Sequence, residues 1–161
     1  RRDKVAFVTE RPYLHQGTLR EALVHARHER NVSDEEILGA LRLVGQEALV
    51  ERAGGLDVPQ EWNNMLSLGT QQLLVIARLL ISKESFAVLD RIATALNPEE
   101  TELALSALRL LGVTYVTFGN SSDDRHSYDA VLDIEEDGSW HWVKDADGAP
   151  SHRRPGTARK R

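Results

Sequence analysis

Met65–Pro98, MLSLGTQQLLVIARLLISKESFAVLDRIATALNP, is the stretch whose reading decides the fold. It divides into a short loop, a long apolar helix, a buried strand and a sharp turn into a further helix. Ser67 and Gly69 sit in a Ser-x-Gly loop directly before the apolar helix. Free backbone N–H groups and the positive end of the helix dipole favour an anion at such a place. A plainer role for Ser67 is to cap the helix that follows. FAVLD, Phe86 to Asp90, is a continuous apolar run ending in one carboxylate. That pattern predicts a buried parallel strand delivering a polar residue at its C-terminal edge.

Upstream, KVAFV (residues 4–8) has the pattern of a short buried strand and is broken by Glu10, Arg11 and Pro12. Thr18 to Glu21 (TLRE) and Ser33 to Glu36 (SDEE) each predict a capping box. The helix after Ser33 places Ile37, Leu38, Leu41 and Val44 on one face. Gly54 and Gly55 interrupt it, and Leu56 to Asn64 is expected as a loop carrying Trp62. Downstream, Asn97, Pro98, Glu99 and Glu100 make a helix start: a cap, a proline at the first helical position, and acids in the first turn. Gly112 stops that helix, VTYVTF (Val113 to Phe118) is the next strand, and Ala130–Ile134 with Trp140–Val143 predicts a closing β-hairpin. The order defines an α/β fold, with no internal repeat.

With 161 residues, 41% of them hydrophobic, the chain suffices for one domain with a substantial core. The absence of cysteine excludes disulfides, zinc–thiolate sites and thiol catalysis, and suits a reducing cytoplasm. The longest apolar run, Leu73 to Ile81, is broken by Arg78 and falls far short of the ~20 residues that span a bilayer. No signal peptide is visible and the first residues are Arg1 and Arg2, so the chain reads as cut from something longer. The net charge is −5, but Ser151–Arg161 holds five basic residues and no acid, leaving −10 for residues 1–150. The acidic body argues against nucleic acid as the main partner, and the basic tail, 147–161, reads as disordered and solvated.

LSLGTQQL (Leu66 to Leu73), followed by FAVLDRIATALN, resembles the signature motif, Walker B strand and D-loop of an ABC-transporter ATP-binding domain. The wording is most similar to the branch of peroxisomal fatty-acyl transporters and SbmA/BacA-like peptide importers. The resemblance covers residues 4 to about 144 and implies the second half of that domain. A partial P-loop NTPase core, residues 1–11 and 65–146, would have a mostly parallel sheet and a C-terminal hairpin. Residues 12–64 would be the helical subdomain. No G-x-x-x-x-G-K-[ST] loop occurs in the sequence. Without the strand bearing that loop, the hairpin would slide over to pair with Val113–Phe118, or a second chain would fill the gap.

The same resemblance assigns roles, residue by residue. Asp90 ends the Walker B strand and is the one retained position that would assist Mg²⁺. The family's catalytic Glu follows directly, where this chain has Arg91, whose guanidinium stays protonated and cannot act as a base. Glu10 stands at the Q-loop Gln, Asn120 at the switch His and Asn97 at the D-loop Asp. Thr70 and Leu73 replace the Glu and Arg of LSLGEQQR. These departures imply a cassette that does not hydrolyse ATP by itself. Ser67, Gly69 and Thr70 would complete the ATP site of a partner in trans, in a homodimer or beside another ATP-binding domain. In the intact protein the resemblance implies a transmembrane domain, a place at the cytoplasmic face of the membrane, and ATP and Mg²⁺ bound with a partner rather than tightly by this chain. The alternatives are a non-enzymatic dimerisation or regulatory module, and a soluble paired cassette. His25 and His28, Asp123 and Asp124, and Glu135 to Asp137 read as surface groups; Trp140 and Trp142 read as strand residues that pack or cover an edge.

Overall fold

The computed structural model describes residues 5–24, 31–120, 125 and 127–144. They belong to two compact units, Arg1–Gly119 and Asn120–Arg161. In the first unit the order is β1 (Val5–Val8), α1 (Leu19–Leu23), α2 (Asp34–Leu43), α3 (Leu49–Arg52), α4 (Trp62–Met65), α5 (Leu68–Ser82), β2 (Phe86–Asp90), a 3₁₀ turn (Ile92–Thr94), α6 (Pro98–Leu110) and β3 (Thr114–Phe118). The second unit holds β4 (Ala130–Ile134) and β5 (Trp140–Lys144). His25, His28, Asp123, Asp124 and the tail 147–161 lie outside the described residues. The architecture is α/β, a partial core of the expected kind.

Side-chain caps fix where the helices begin. Thr18, Ser33 and Asn97 each accept from the N–H three residues on, while Glu21, Glu36 and Glu100 reach back to the cap backbone. These boxes satisfy N–H groups that a helix start leaves unpaired. The longest helix, α5, is apolar nearly all round, with Leu73, Leu74, Ile76, Leu79, Leu80 and Ile81 buried. Full burial of one such side chain stabilises the fold by about 1.5–3 kcal/mol. Lys83, left-handed at φ 54°, ends the helix and turns the chain into β2.

The three strands of the first unit lie parallel in the order β1-β2-β3, with Val8 beside Leu89 and Asp90 beside Phe118. Strand order advances in one direction, so right-handed crossovers put both helical connections on one face of the sheet. Helices α5 and α6 accordingly pack on each other, with α5 against β1 and α6 against β3. The covered face carries Val8, Ala87 and Leu89, all buried. The other face carries Val5, Phe7, Val116 and Phe118, which are 46%, 67%, 45% and 59% exposed.

Two local expectations change. The segment 4–8 is expected as a buried strand, yet Val5 and Phe7 are exposed, because the described crossover helices pack on the opposite face. Trp62 was expected in a loop, but it opens the short helix α4 and is fully buried in the helical region. β4 and β5 pair antiparallel as a two-stranded sheet, Leu132 opposite Trp142 and Ile134 opposite Trp140. Both indoles stay partly exposed, Trp140 at 46% and Trp142 at 36%.

Candidate functional site at the carboxyl edge of the sheet

Register brings the candidate residues of the first unit towards one edge. β1 and β2 end side by side at Val8 and Leu89, so Glu10 follows at the edge where Asp90 and Arg91 emerge. In open parallel sheets this carboxyl edge is where ligands bind. β3 ends opposite Asp90 at Phe118, and Asn120 follows two residues later as the first residue of the second unit.

Asp90 is half-buried at the end of the central strand. Arg91 adopts a left-handed conformation (φ 50°, ψ 45°), uncommon for a residue with a side chain. Its N–H donates to the Phe118 carbonyl at 3.0 Å, and its own carbonyl accepts from the Thr94 hydroxyl at 2.7 Å. The turn thereby leaves the guanidinium side chain exposed directly after the carboxylate. Among the described residues no cluster of three or more His, Asp or Glu is disposed to hold a metal. Mg²⁺ is commonly held by one or two carboxylates together with water and substrate phosphate, and Asp90 is a carboxylate at this edge.

The Ser67 turn forms the second group. The Ser67 hydroxyl oxygen accepts from the Thr70 N–H at 3.2 Å and lies 2.9 Å from the Thr70 hydroxyl. The cap occupies only one of the N–H groups that the start of α5 leaves free. Gly69 is buried against the chain after Arg91: a Cβ there would stand 2.6 Å from the Ala95 carbonyl oxygen and 3.3 Å from Leu96. The Ser67 turn and the turn leading to Asn97 therefore abut. The Asn97 carboxamide oxygen accepts from the Glu100 N–H at 2.9 Å, so this side chain is committed to capping α6.

Sequence reasoning singled out neither Gln71 nor Gln72, yet both are buried in the first turns of α5. Gln71 Nε2 donates to the Leu66 carbonyl at 3.0 Å, and Gln72 Nε2 to the Glu10 carbonyl at 2.8 Å. Two adjacent amides heading an otherwise apolar helix were the available signal, since buried polar groups need partners. Farther along, Arg78 Nε donates to the Ala22 carbonyl at 2.8 Å, and burial pushes the Arg78 guanidinium below its ordinary value.

A parallel sheet with a carboxylate at its carboxyl edge and a serine turn heading the longest helix make up a partial α/β core. Over most of its length the chain is homologous to ABC transporter ATP-binding proteins. It is 34% identical over 134 residues to an uncharacterized ABC transporter ATP-binding protein of Synechocystis, covering 83% of this chain and 20% of the relative. It is 35% identical over 148 residues to a lysosomal cobalamin transporter of Mus musculus, covering 87% of this chain and 24% of the relative. It is 29% identical to ATP-binding cassette sub-family D member 3 of Rattus norvegicus, covering 89% of this chain and 22% of that one. The chain thus spans about a fifth to a quarter of the length of these relatives. No protein-family model matches it. Among the described residues no helix is long and apolar enough to cross a membrane.

Proposed function

We propose that this chain is the C-terminal part of the ATP-binding domain of an ABC transporter, of the peroxisomal and SbmA/BacA-like branch, and that it does not hydrolyse ATP by itself. One observation carries the second half: the residue that leaves β2 directly after Asp90 is Arg91, exposed and held in a left-handed turn. Hydrolysis needs a base that takes a proton from water at this point, and a guanidinium cannot. Glu10 and Asn120 at the Q-loop and switch positions support the same reading, as does the lack of a G-x-x-x-x-G-K-[ST] loop from the sequence.

In the intact protein this part works at the cytoplasmic face beneath a transmembrane domain, in nucleotide-driven transport. Its partner is a second ATP-binding domain, from an identical chain or a paired one. Ser67, Gly69 and Thr70 then offer helix-start N–H groups and hydroxyls to an ATP held mainly by that partner, and Asp90 lends a weak contact to its Mg²⁺. Titration calorimetry with Mg-ATP, with the mass measured by light scattering on the same sample, tests the reading. Weak saturable binding that is abolished in Asp90→Ala supports it. No binding, together with a defined dimer, favours a second reading, a non-enzymatic dimerisation or regulatory module. That alternative draws support from the apolar sheet face left open around Phe7, Val116 and Phe118.

A further inference from the structure

Residues 10–17 and 60–72 run past each other in opposite directions and are joined at several points. Gly17 and Gln60 exchange two backbone hydrogen bonds, 3.1 and 2.9 Å. Asn63 Nδ2 donates to the Leu14 carbonyl at 2.9 Å, and Gln72 Nε2 closes the far end on the Glu10 carbonyl at 2.8 Å. Gln72 is fully buried, and its Oε1 has no partner among the described residues. A buried acceptor left unpaired is costly, so the amide is held in place by its donor end alone. The loop that leaves β1 is therefore anchored to the segment ending in the Ser67 turn, one helical turn before Gln72.

We propose that Gln72 is a positioning residue: its amide fixes the backbone at Glu10 relative to the Ser67–Thr70 turn, so that these two parts of the candidate site move as one body. The functional weight of those residues rests on the reading under Proposed function; the tether itself does not. Displacing residue 10 must displace the turn at the head of α5, unless the bond to Gln72 breaks.

Backbone ¹⁵N relaxation of the purified chain, without nucleotide, tests this. In the wild type the amides of Arg11 and Tyr13 are expected to be as ordered as a rigid backbone, with order parameters of about 0.85. Gln72→Met keeps the length of the side chain and removes both the donor and the orphaned acceptor. The order parameters of these two amides should fall below about 0.6, while those of α2 and α6 stay unchanged. The unfolding midpoint should move by less than about 3 °C, because losing an unsatisfied buried acceptor offsets the lost bond. Gln72→Leu, which has no group to donate, should loosen the same amides. Unchanged order at Arg11 and Tyr13 in a folded variant would overturn the proposal. So would loosening spread evenly over the chain, since it would mean that Gln72 serves only general stability. Neither result depends on nucleotide binding, so failure here is distinguishable from failure of the transporter reading.

Discussion

Gly69 has no room for a side chain. A Cβ would sit 2.6 Å from a backbone carbonyl oxygen of Ala95, and backbone cannot swing aside as the tip of a side chain can. Gly69→Ala is expected to lower stability by about 1–3 kcal/mol, measurable by urea denaturation. Arg91 poses the opposite case. Its left-handed turn costs about 1–2 kcal/mol for a residue with a Cβ, against about 0.5–1 kcal/mol of chain entropy lost by a glycine. Arg91→Gly should therefore raise stability by about 0.5–1 kcal/mol in the same measurement. A destabilised variant would mean that the arginine side chain makes a compensating contact. Both positions were visible in the sequence as motif residues, but their backbone demands were not. The closeness of Gly69 to Ala95 depends on how two turns distant in sequence meet.

The helix starts were the most legible elements, because a capping box is written within four residues and needs nothing from the rest of the chain. Asn97 shows this: cap, proline and acids stand in sequence as they stand in the structure. Asn97→Ala should cost about 1 kcal/mol and shorten α6 at its start, readable as a lower unfolding midpoint. Less legible were the ties between elements. Arg20 donates to Asp57 through Nε and a terminal nitrogen at 2.7 and 2.9 Å, and to Asp34 at 2.8 Å, fastening α1 to the start of α2 and to the connection before α4. The hydrogen bonds from Arg20 hold the Asp57 carboxyl below the usual carboxylate range. A carboxyl whose value is depressed on folding adds stability above its unfolded value, about 3.9, and loses it as pH falls through the folded value. Asp57→Asn is therefore expected to flatten the acid side of the stability profile below about pH 4, while leaving its slope near neutrality unchanged. Because Arg20 and Asp57 are partly in solvent, the change should be small.

At the scale of the whole molecule, the helices described in the first unit cover the parallel sheet on one face. Parallel sheets are ordinarily buried on both faces, and that rule underlay the expectation of a buried first strand. The strand's apolar residues specify a face that wants covering; its own crossovers lie on the other side. Phe7→Gln and Phe118→Gln should reduce the fluorescence of a bound hydrophobic dye and lower any concentration-dependent association, with stability changed by less than about 0.5 kcal/mol. A loss of several kcal/mol would show instead that this face is covered in solution. Element order and the positions of Asp90, Arg91 and the Ser67 turn were readable because each sits at the end of a strongly patterned strand or helix. Gln72 and its bond to Glu10 were not, since the partners are 62 residues apart and meet only once β1 and α5 have packed.

The proposed function requires that this chain, with Arg91 after its strand-end carboxylate, does not turn over ATP by itself. Its most direct test is phosphate release from Mg-ATP by the purified chain, with Asp90→Asn prepared identically to expose any contaminating ATPase. The prediction is release no faster than in the absence of protein, for both preparations. Turnover that scales with the amount of chain and disappears in Asp90→Asn would contradict it.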